Sequence, residues 1–318
     1  MDKLFSNFNL AMLNLWLGLC RGETGLPRVI RDLGYRHKQV ELTFQNSAGK
    51  PVQPELIIAT SHLGHAIMFE WKAGVNTDSD QLERYAHVHR DDLIRQANLQ
   101  PAECSTHDIC VVGLDENADR LAIGIKQGGY PFPLVAVESD GLVLKLNHFA
   151  VKSLTDVFIP RLEIDFNMLP TSIIPFDHNS QYWEIAHTII PQVIHYMASA
   201  DSMFTIDHLG ADCTPLWHLS LSPGYRRTLS ERIKRVIEEA AAHEFKAYLR
   251  RDRNAEARTH SPTWQIIYNP RKQVFDKRSA DYRRLKSLAE DFIEALRTGK
   301  RNPDQLMFDF PYSEKNTD

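Results

Sequence analysis

The chain has 318 residues, of which 43% are hydrophobic and 25% are charged, and its formal net charge is −4. This composition is that of a globular protein of about two domains rather than that of a low-complexity chain. No apolar run reaches the roughly 18–20 residues that a bilayer requires, so we expect no membrane partner.

The first half of the sequence alternates between helical and strand-like patterns. In chain order it predicts a helix at about 4–20, a short helix at 26–33, strands at 38–46, 55–60 and 65–72, a helix at about 79–90, a strand at 108–114, a helix at 116–126, and strands at 133–138 and 141–146. Tight turns separate the first three strands, which predicts antiparallel pairing, whereas a helix allows the fourth strand to join by a crossover. The order αβββαβ therefore predicts a mixed α/β sheet.

The second half is mainly helical. Pro160, Pro170 and Pro175 punctuate an irregular stretch, and we divide the chain there into a domain of residues 1–170 and a domain of residues 171–318. The second domain is predicted to contain helices at 181–199, about 205–210, 228–251 and about 279–298, and a strand at 264–268.

Acidic and basic residues are predicted to converge at the end of two neighbouring strands. Period-two alternation places Glu70 and Lys72 on one face at the end of the strand 65–72. If a turn at 61–64 pairs this strand with 55–60, Glu55 lies opposite its end. Two carboxylates repel each other until a cation sits between them, and Mg²⁺ favours such oxygen ligands. With a lysine to hold the attacking water, these groups suit phosphodiester hydrolysis.

These residues also resemble a known family. Pro54-Glu55, followed by a Glu-x-Lys motif at Glu70 and Lys72, resembles the motif of the PD-(D/E)xK nuclease superfamily. The resemblance covers about residues 26–145. It implies a restriction-endonuclease-like mixed sheet core, here followed by the mainly helical C-terminal domain.

The helix after the second motif strand adds to the resemblance. Gln81 and Tyr85 lie four residues apart, hence on one helix face, and resemble the Gln-x-x-x-Tyr motif of the RecB- and Cas4-like branches, although the iron–sulfur cysteines of the Cas4-like branch are absent. The resemblance implies that Glu55 and Glu70 bind Mg²⁺ or Mn²⁺ and that Lys72 is the catalytic lysine. It also implies that Gln81 is a catalytic-site residue with a positioning role. Tyr85 would support the site or contact DNA. Position 55 departs from the family, which usually has Asp there.

Other residues are candidates for metal ligands. Some superfamily members use an acid in the preceding strand, which makes Glu41 a candidate, although the sequence favours a solvent-facing strand residue at this position. A rival metal site would use histidines, which stand at His62, His65, His87 and His89. However, His87 and His89 would diverge on a helix, and alternation places His65 on the face opposite to Glu70.

The cysteines exclude several classes of site. They are scattered without a Cys-x-x-Cys pair, at Cys20, Cys104, Cys110 and Cys213. This spacing argues against a disulfide framework, a zinc ribbon and an iron–sulfur cluster. The apolar stretch 8–20 lacks the small residues of a signal-peptide cleavage site, so we expect a buried helix and a cytoplasmic protein.

The C-terminal half carries most of the basic charge. Residues 1–220 contain 16 Lys/Arg and 26 Asp/Glu, whereas residues 221–301 contain 20 Lys/Arg and 11 Asp/Glu. This asymmetry favours contact with a polyanion, although a solvated helical face explains it equally. The helix order resembles a winged-helix domain, with a helical scaffold or partner-binding domain as the alternative. The predicted DNA contacts are Arg232, Lys234, Arg235, Arg250 and Arg251.

Together these features predict a Mg²⁺- or Mn²⁺-dependent DNA endonuclease. DNA is the expected partner, and a restriction, phage-defence or mobile-element system with further subunits is the expected setting. The sequence leaves a homodimer open. The alternative hypothesis is a non-catalytic DNA-binding or assembly protein that keeps a nuclease-like sheet as its scaffold.

Overall fold

The computed structural model describes residues 7–75, 78–170, 173–199, 201–267 and 280–304. Internal contacts divide the chain into two compact units. The first unit contains residues 1–174 and 218–226, and the second contains residues 175–217 and 227–318. The return of residues 218–226 to the first unit was not anticipated from the sequence.

The first unit is built on a mixed sheet. The strands of this unit are β1 (Arg36–Val40), β2 (Phe44–Gln45), β3 (Pro51–Val52), β4 (Leu56–Thr60), β5 (His65–Lys72), β6 (Thr106–Leu114), β7 (Leu134–Glu138), β8 (Gly141–Leu146) and β9 (Leu162–Glu163). Strands β2 and β3 form a separate small hairpin. In the described residues the main sheet has the order β1-β4-β5-β6-β7-β8-β9. The pairs β5–β6 and β6–β7 are parallel and the other pairs are antiparallel. The predicted mixed α/β sheet is therefore confirmed.

Helices cover this sheet. They are α1 (Phe8–Arg21), α2 (Val29–Asp32), α3 (Ser79–Ala86), α4 (Arg90–Gln96), α5 (Asp115–Gln127) and α6 (Lys152–Thr155), with short 3-10 turns at Pro101–Glu103, Asp156–Phe158 and Phe166–Met168. On one face Trp16 of α1 packs against Phe69 of β5, with ring centroids 4.2 Å apart. On the other face Met68 belongs to the same core cluster as Leu82 and Tyr85 of α3. Burial on both faces explains why β5 is almost continuously apolar.

The hairpin that carries the candidate site forms as the sequence predicts. Thr60 pairs with His65 across the turn, and Gly64 adopts a φ of 59°, a conformation that glycine accepts without strain. The register then places Leu56 opposite Phe69.

Two predicted elements are interrupted. The strand predicted at 38–46 stops at Val40 because Glu41 has a φ of 52°, outside the extended region. The helix predicted at 79–90 ends at Ala86 because His89 is extended and starts α4 with a capping box, in which its backbone N–H donates to Asp92 at 3.0 Å.

The second unit is mainly helical. It contains α7 (Tyr182–Ala198), α8 (Ile206–Cys213), most of α9 (Pro223–Ala242), α10 (Arg253–Thr259) and α11 (Ala280–Arg297), with strands β10 (Met203–Thr205), β11 (Leu249–Arg251) and β12 (Thr263–Ile266). The three strands form an antiparallel sheet in the order β10-β12-β11. The helix predicted at 228–251 starts earlier and ends at Ala242, because the chain turns there and then enters β11. No helix in the described ranges has the length and apolarity to cross a membrane.

Candidate functional site

Glu70 is the centre of a buried hydrogen-bond network on β5. The residue is 4% exposed, and its carboxylate accepts hydrogen bonds from two side chains of α3. Gln81 Nε2 donates to Oε1 at 2.9 Å, and the Tyr85 hydroxyl donates to Oε2 at 2.7 Å. Burial, together with the charge of Glu70, raises the pKa of Tyr85 well above its usual value, so its hydroxyl stays protonated and donates. The four-residue spacing of Gln81 and Tyr85 thus serves one carboxylate.

Lys72 closes this network. Its Nζ atom lies 2.9 Å from Oε1 of Glu70 and donates to Oε1 of Gln81 at 2.6 Å. The Gln81 amide therefore donates to the acid and accepts from the lysine, which fixes its orientation. The carboxylate of Asp78 caps α3 by accepting from the backbone N–H of Gln81 at 3.2 Å, and so holds the first turn in place.

Glu55 lies beside this network, immediately before β4. Its backbone N–H donates to the carbonyl of Phe69 at 3.0 Å, which places Glu55 opposite the end of β5 as the sequence predicts. Burial raises the pKa of the Glu55 carboxyl strongly, and the charge and hydrogen bond of Glu41 and the charge of Glu70 raise it further. The charge of Lys72 only partly opposes them. The carboxyl thus lies within electrostatic reach of two acids and one amine.

Glu41 is part of the same cluster and is not a solvent-facing strand residue. It is 7% exposed, its carboxyl is hydrogen-bonded to that of Glu55, and Gln53 Nε2 donates to its Oε2 at 2.8 Å. Its backbone N–H donates to the carbonyl of Glu55 at 3.0 Å. The expectation of a solvent-facing residue at Glu41 is therefore wrong, and the residue faces the candidate site.

The donor atoms of this cluster are of the kind that bind a divalent cation, but their arrangement is not that of a metal-binding group. Within the described ranges, no three His, Cys, Asp or Glu side chains are arranged as a metal-binding group. Glu70 instead faces its hydrogen-bond donors, and Glu41 and Glu55 face each other through a hydrogen bond. Carboxylate oxygens are nevertheless the ligands that Mg²⁺ prefers, and a cation would relieve the repulsion that raises the pKa of Glu55.

A comparison with protein families identifies the first unit. The model of the MJECL32 domain matches residues 9–174. The chain belongs to the MJECL32 domain family. The matched residues of this MJECL32 domain include the whole cluster described above, but not residues 218–226, which the structure adds to the same unit. Neither a curated protein nor a solved structure matches the chain.

The candidate ligands His65, His87 and His89 of the MJECL32 domain have hydrogen-bond partners outside this cluster. His65 is completely buried between the Tyr35 hydroxyl, 2.7 Å from Nδ1, and the Asp108 carboxylate, 3.0 Å from Nε2. This confirms that His65 uses the face of β5 opposite to Glu70. His87 and His89 lie between α3 and α4 rather than on one helix. Nothing in the sequence had signalled the contacts of Tyr35 and Asp108 with His65.

One further contact of the cluster was not predicted from the sequence. Gln53 Nε2 donates to the carboxylate of Glu41. It stands two residues before Glu55, and extending the period-two alternation backwards would have placed both on one face.

Three basic residues predicted to contact DNA from α9 already have partners within the second unit. The guanidinium of Arg232 lies 4.6 Å above the ring of Tyr182. Arg235 donates to the hydroxyl of the same tyrosine at 3.1 Å and pairs with Asp304. Lys234 lies 3.2 Å from Glu231. The ion pairs of Lys234 and Arg235 therefore offset two of these three positive charges.

The remaining two predicted contacts lie on opposite faces of β11. Arg251 pairs with Glu238 at 2.8 Å and with Glu256 at 2.7 Å. Arg250 is exposed and sits opposite the exposed Gln265 of β12. Neighbouring residues on a strand point to opposite faces, so the five predicted DNA contacts do not form one continuous surface.

Proposed function

We propose that the MJECL32 domain of this chain is a metal-dependent nuclease domain that hydrolyses DNA phosphodiester bonds. The observation that carries the proposal is the closed network of Glu70, Lys72 and Gln81, anchored by Tyr85 and flanked by Glu55. The antiparallel β4–β5 hairpin followed by the parallel strands β6 and β7 supports a restriction-endonuclease-like core.

Each residue of the cluster has a distinct role in this proposal. Glu55 and Glu70 would hold Mg²⁺ or Mn²⁺, with Glu41 as a third acid. When bound, the ion supplies a water of lowered pKa and offsets charge on the phosphoryl oxygens. Lys72 holds the attacking water by a hydrogen bond and stabilises negative charge as it builds on phosphorus. Gln81 holds the Lys72 ammonium and the Glu70 carboxylate in fixed positions relative to each other by a hydrogen bond to each.

A cleavage assay with a matched lysine control tests this proposal. Full-length protein is incubated with supercoiled and linear DNA in the presence of Mg²⁺ or Mn²⁺, and we expect cleavage that the variant Lys72→Ala reduces by about 100-fold or more. Lys145→Ala is the control, because Lys145 also lies between two carboxylates, 2.9 Å from Asp115 and 2.8 Å from Glu138. Undiminished cleavage by Lys72→Ala would rule out the proposed site.

We also propose that the second unit directs the nuclease to DNA or to a partner subunit. Its elements follow the order helix, strand, helix, helix, strand, helix, strand and helix, and β12 is the central strand of its sheet. The small antiparallel sheet, of which β11 and β12 follow the helices α8 and α9, supports a winged-helix-like domain. The exposed Arg250 is its best-placed phosphate contact among the predicted residues. The proposal also includes the biological setting, which is a restriction, phage-defence or mobile-element system. It further includes a homodimer and a cytoplasmic location.

The second candidate function is a non-catalytic DNA-binding or assembly protein. It is favoured by the saturation of Glu70, whose oxygens already accept from Gln81 and Tyr85 and pair with Lys72. A gel-shift assay with a metal titration separates the two candidates. Binding that ignores Mg²⁺ and Mn²⁺, without cleavage of any DNA, would favour this second function.

A further inference from the structure

A segment far along the chain extends the edge of the main sheet beside the candidate site. The backbone N–H of Val40 donates to the carbonyl of Ser220 at 2.9 Å, and the N–H of Ser222 donates to the carbonyl of Val40 at 3.2 Å. Val40 and Leu221 thereby form a parallel bridge. Ser220, Leu221 and Ser222 are each at most 4% exposed. Glu41 is the residue that directly follows this bridge.

Ser222 contacts the backbone of Glu41 directly. Its hydroxyl donates to the carbonyl of Glu41 at 2.7 Å and accepts from the backbone N–H of Tyr225 at 3.2 Å. The same side chain therefore caps the first turn of α9 and holds one peptide group of Glu41. Because α9 follows Ser222 directly, the helix fixes the position of the Ser222 hydroxyl. The hydroxyl is therefore a rigid support for the carbonyl of Glu41.

Glu41 needs such a support. Its φ of 52° is unfavourable for a residue with a side chain. The carbonyl of Glu55 holds its N–H, Ser222 holds its C=O, and Gln53 holds its carboxylate. Without the bond to the carbonyl, the backbone is free to relax to negative φ, which would turn the carboxyl away from Glu55.

We propose that Ser222 is a positioning residue of the candidate site, which keeps the carboxyl of Glu41 beside that of Glu55 so that this pair of acids can serve a divalent cation. The inference rests on the proposed function for the identity of the ligand. It adds that the site is completed by a residue outside the region that matches the MJECL32 domain family, 181 positions beyond Glu41.

Mn²⁺ binding to the full chain in the absence of DNA tests this role. Free Mn²⁺ is measured by electron paramagnetic resonance during titration of the wild type, Glu41→Gln, Ser222→Ala and Ser222→Thr. We expect Glu41→Gln and Ser222→Ala each to weaken Mn²⁺ binding by about 10-fold, the ratio that corresponds to about 1.4 kcal/mol. Ser222→Thr keeps the hydroxyl and is expected to retain most of the affinity. Ser220→Ala is the matched control, because Ser220 contacts Val40 through its backbone carbonyl.

A double variant separates positioning from a general loss of stability. If Ser222 acts through Glu41, the variant Glu41→Gln/Ser222→Ala binds Mn²⁺ no more weakly than Glu41→Gln alone. Additive losses, or an unchanged affinity in Ser222→Ala, would overturn the inference, as would a wild type that binds no Mn²⁺. Thermal melts confirm that each variant is folded. A wild type that binds Mn²⁺ but cuts no DNA would refute the proposed function and leave the role of Ser222 intact.

Discussion

The Tyr85 hydroxyl donates to Oε2 of Glu70 at 2.7 Å, and the two residues are 1% and 4% exposed. A buried carboxylate without donors would be costly, so this bond is both a structural and a positioning contact. It leaves Oε1 of Glu70 to Lys72 and Gln81. The four-residue spacing on α3 therefore lets Gln81 and Tyr85 donate to different oxygens of the same acid.

Removing the tyrosine hydroxyl is expected to lower stability. Tyr85→Phe should cost about 2 kcal/mol of unfolding free energy, because it deletes a hydrogen bond to a buried charged group and keeps the ring. Urea unfolding in EDTA measures the loss. Tyr130→Phe is the control, since the Tyr130 ring stacks on Phe132 at 5.1 Å and the substitution keeps that contact. Equal stability of Tyr85→Phe and the wild type would contradict the importance of this bond.

The cluster around Glu55 predicts an unusual dependence of stability on pH. The pKa of the Glu55 carboxyl is raised in the folded protein by burial and by Glu41 and Glu70, so the folded state binds this proton more tightly than the unfolded state. Stability is then full at low pH and falls as the pH rises above the ordinary glutamate pKa of about 4.3, by on the order of 1 kcal/mol per pH unit at most.

Urea unfolding of the metal-free protein between pH 5 and pH 8 checks this slope. Glu55→Gln should flatten the slope and should be more stable than the wild type at pH 8, because it removes the repelled charge. Glu163→Gln, which changes an exposed carboxyl of β9, should leave the slope unchanged. A wild type whose slope over this range equals that of Glu55→Gln would show that Glu55 ionises normally.

His65 is expected to be structural. Its ring joins Tyr35 and Asp108 in the interior, so His65→Ala should lose two buried hydrogen bonds and leave a cavity, at a cost of about 3 kcal/mol. His62→Ala, in the exposed turn of the same hairpin, should change stability by less than about 0.5 kcal/mol. Because His65 faces away from Glu70, Mn²⁺ binding by folded His65→Ala should match that of the wild type. A large loss of Mn²⁺ affinity at full stability would contradict this assignment.

The two arginines of β11 are expected to behave differently. Arg250→Ala should weaken DNA binding and reduce the slope of log affinity against log salt by about one, because an exposed phosphate contact is lost. Arg251→Ala should instead lower stability, since it leaves Glu238 and Glu256 without their ion-pair partner. Fluorescence anisotropy with duplex DNA across a NaCl series, paired with thermal melts, distinguishes the two. Identical salt slopes for Arg250→Ala and the wild type would exclude Arg250 from the DNA interface.

Local periodicity predicted the half of the candidate site that lies on β5 and α3. A period of two residues places Glu70 and Lys72 on one face of a strand, and a period of 3.6 places Gln81 and Tyr85 on one face of a helix. The turn at Gly64 set the pairing of the hairpin, so the place of Glu55 opposite the end of β5 also followed. These relations depend on neighbours within a few residues and on one tight turn.

Long-range contacts decided the other half, which could not be predicted. The strand pattern continues through Glu41, and only its backbone conformation shows that the chain turns there towards Glu55. A local contact was also not predicted, because the pattern at 79–90 predicts one helix, whereas the capping box of His89 and Asp92 divides it. Charge counts placed basic residues on α9 but could not show that Arg232 and Arg235 are held by Tyr182.

The sequence by itself determined which side chains share a face, because that depends on backbone periods that tertiary packing leaves unchanged. Only the tertiary structure decided which faces meet, as when Ser222, 181 positions away, fixes the carbonyl of Glu41. The physical reason is that burial and hydrogen bonding across such separations depend on how distant segments pack, and no local pattern encodes their partners.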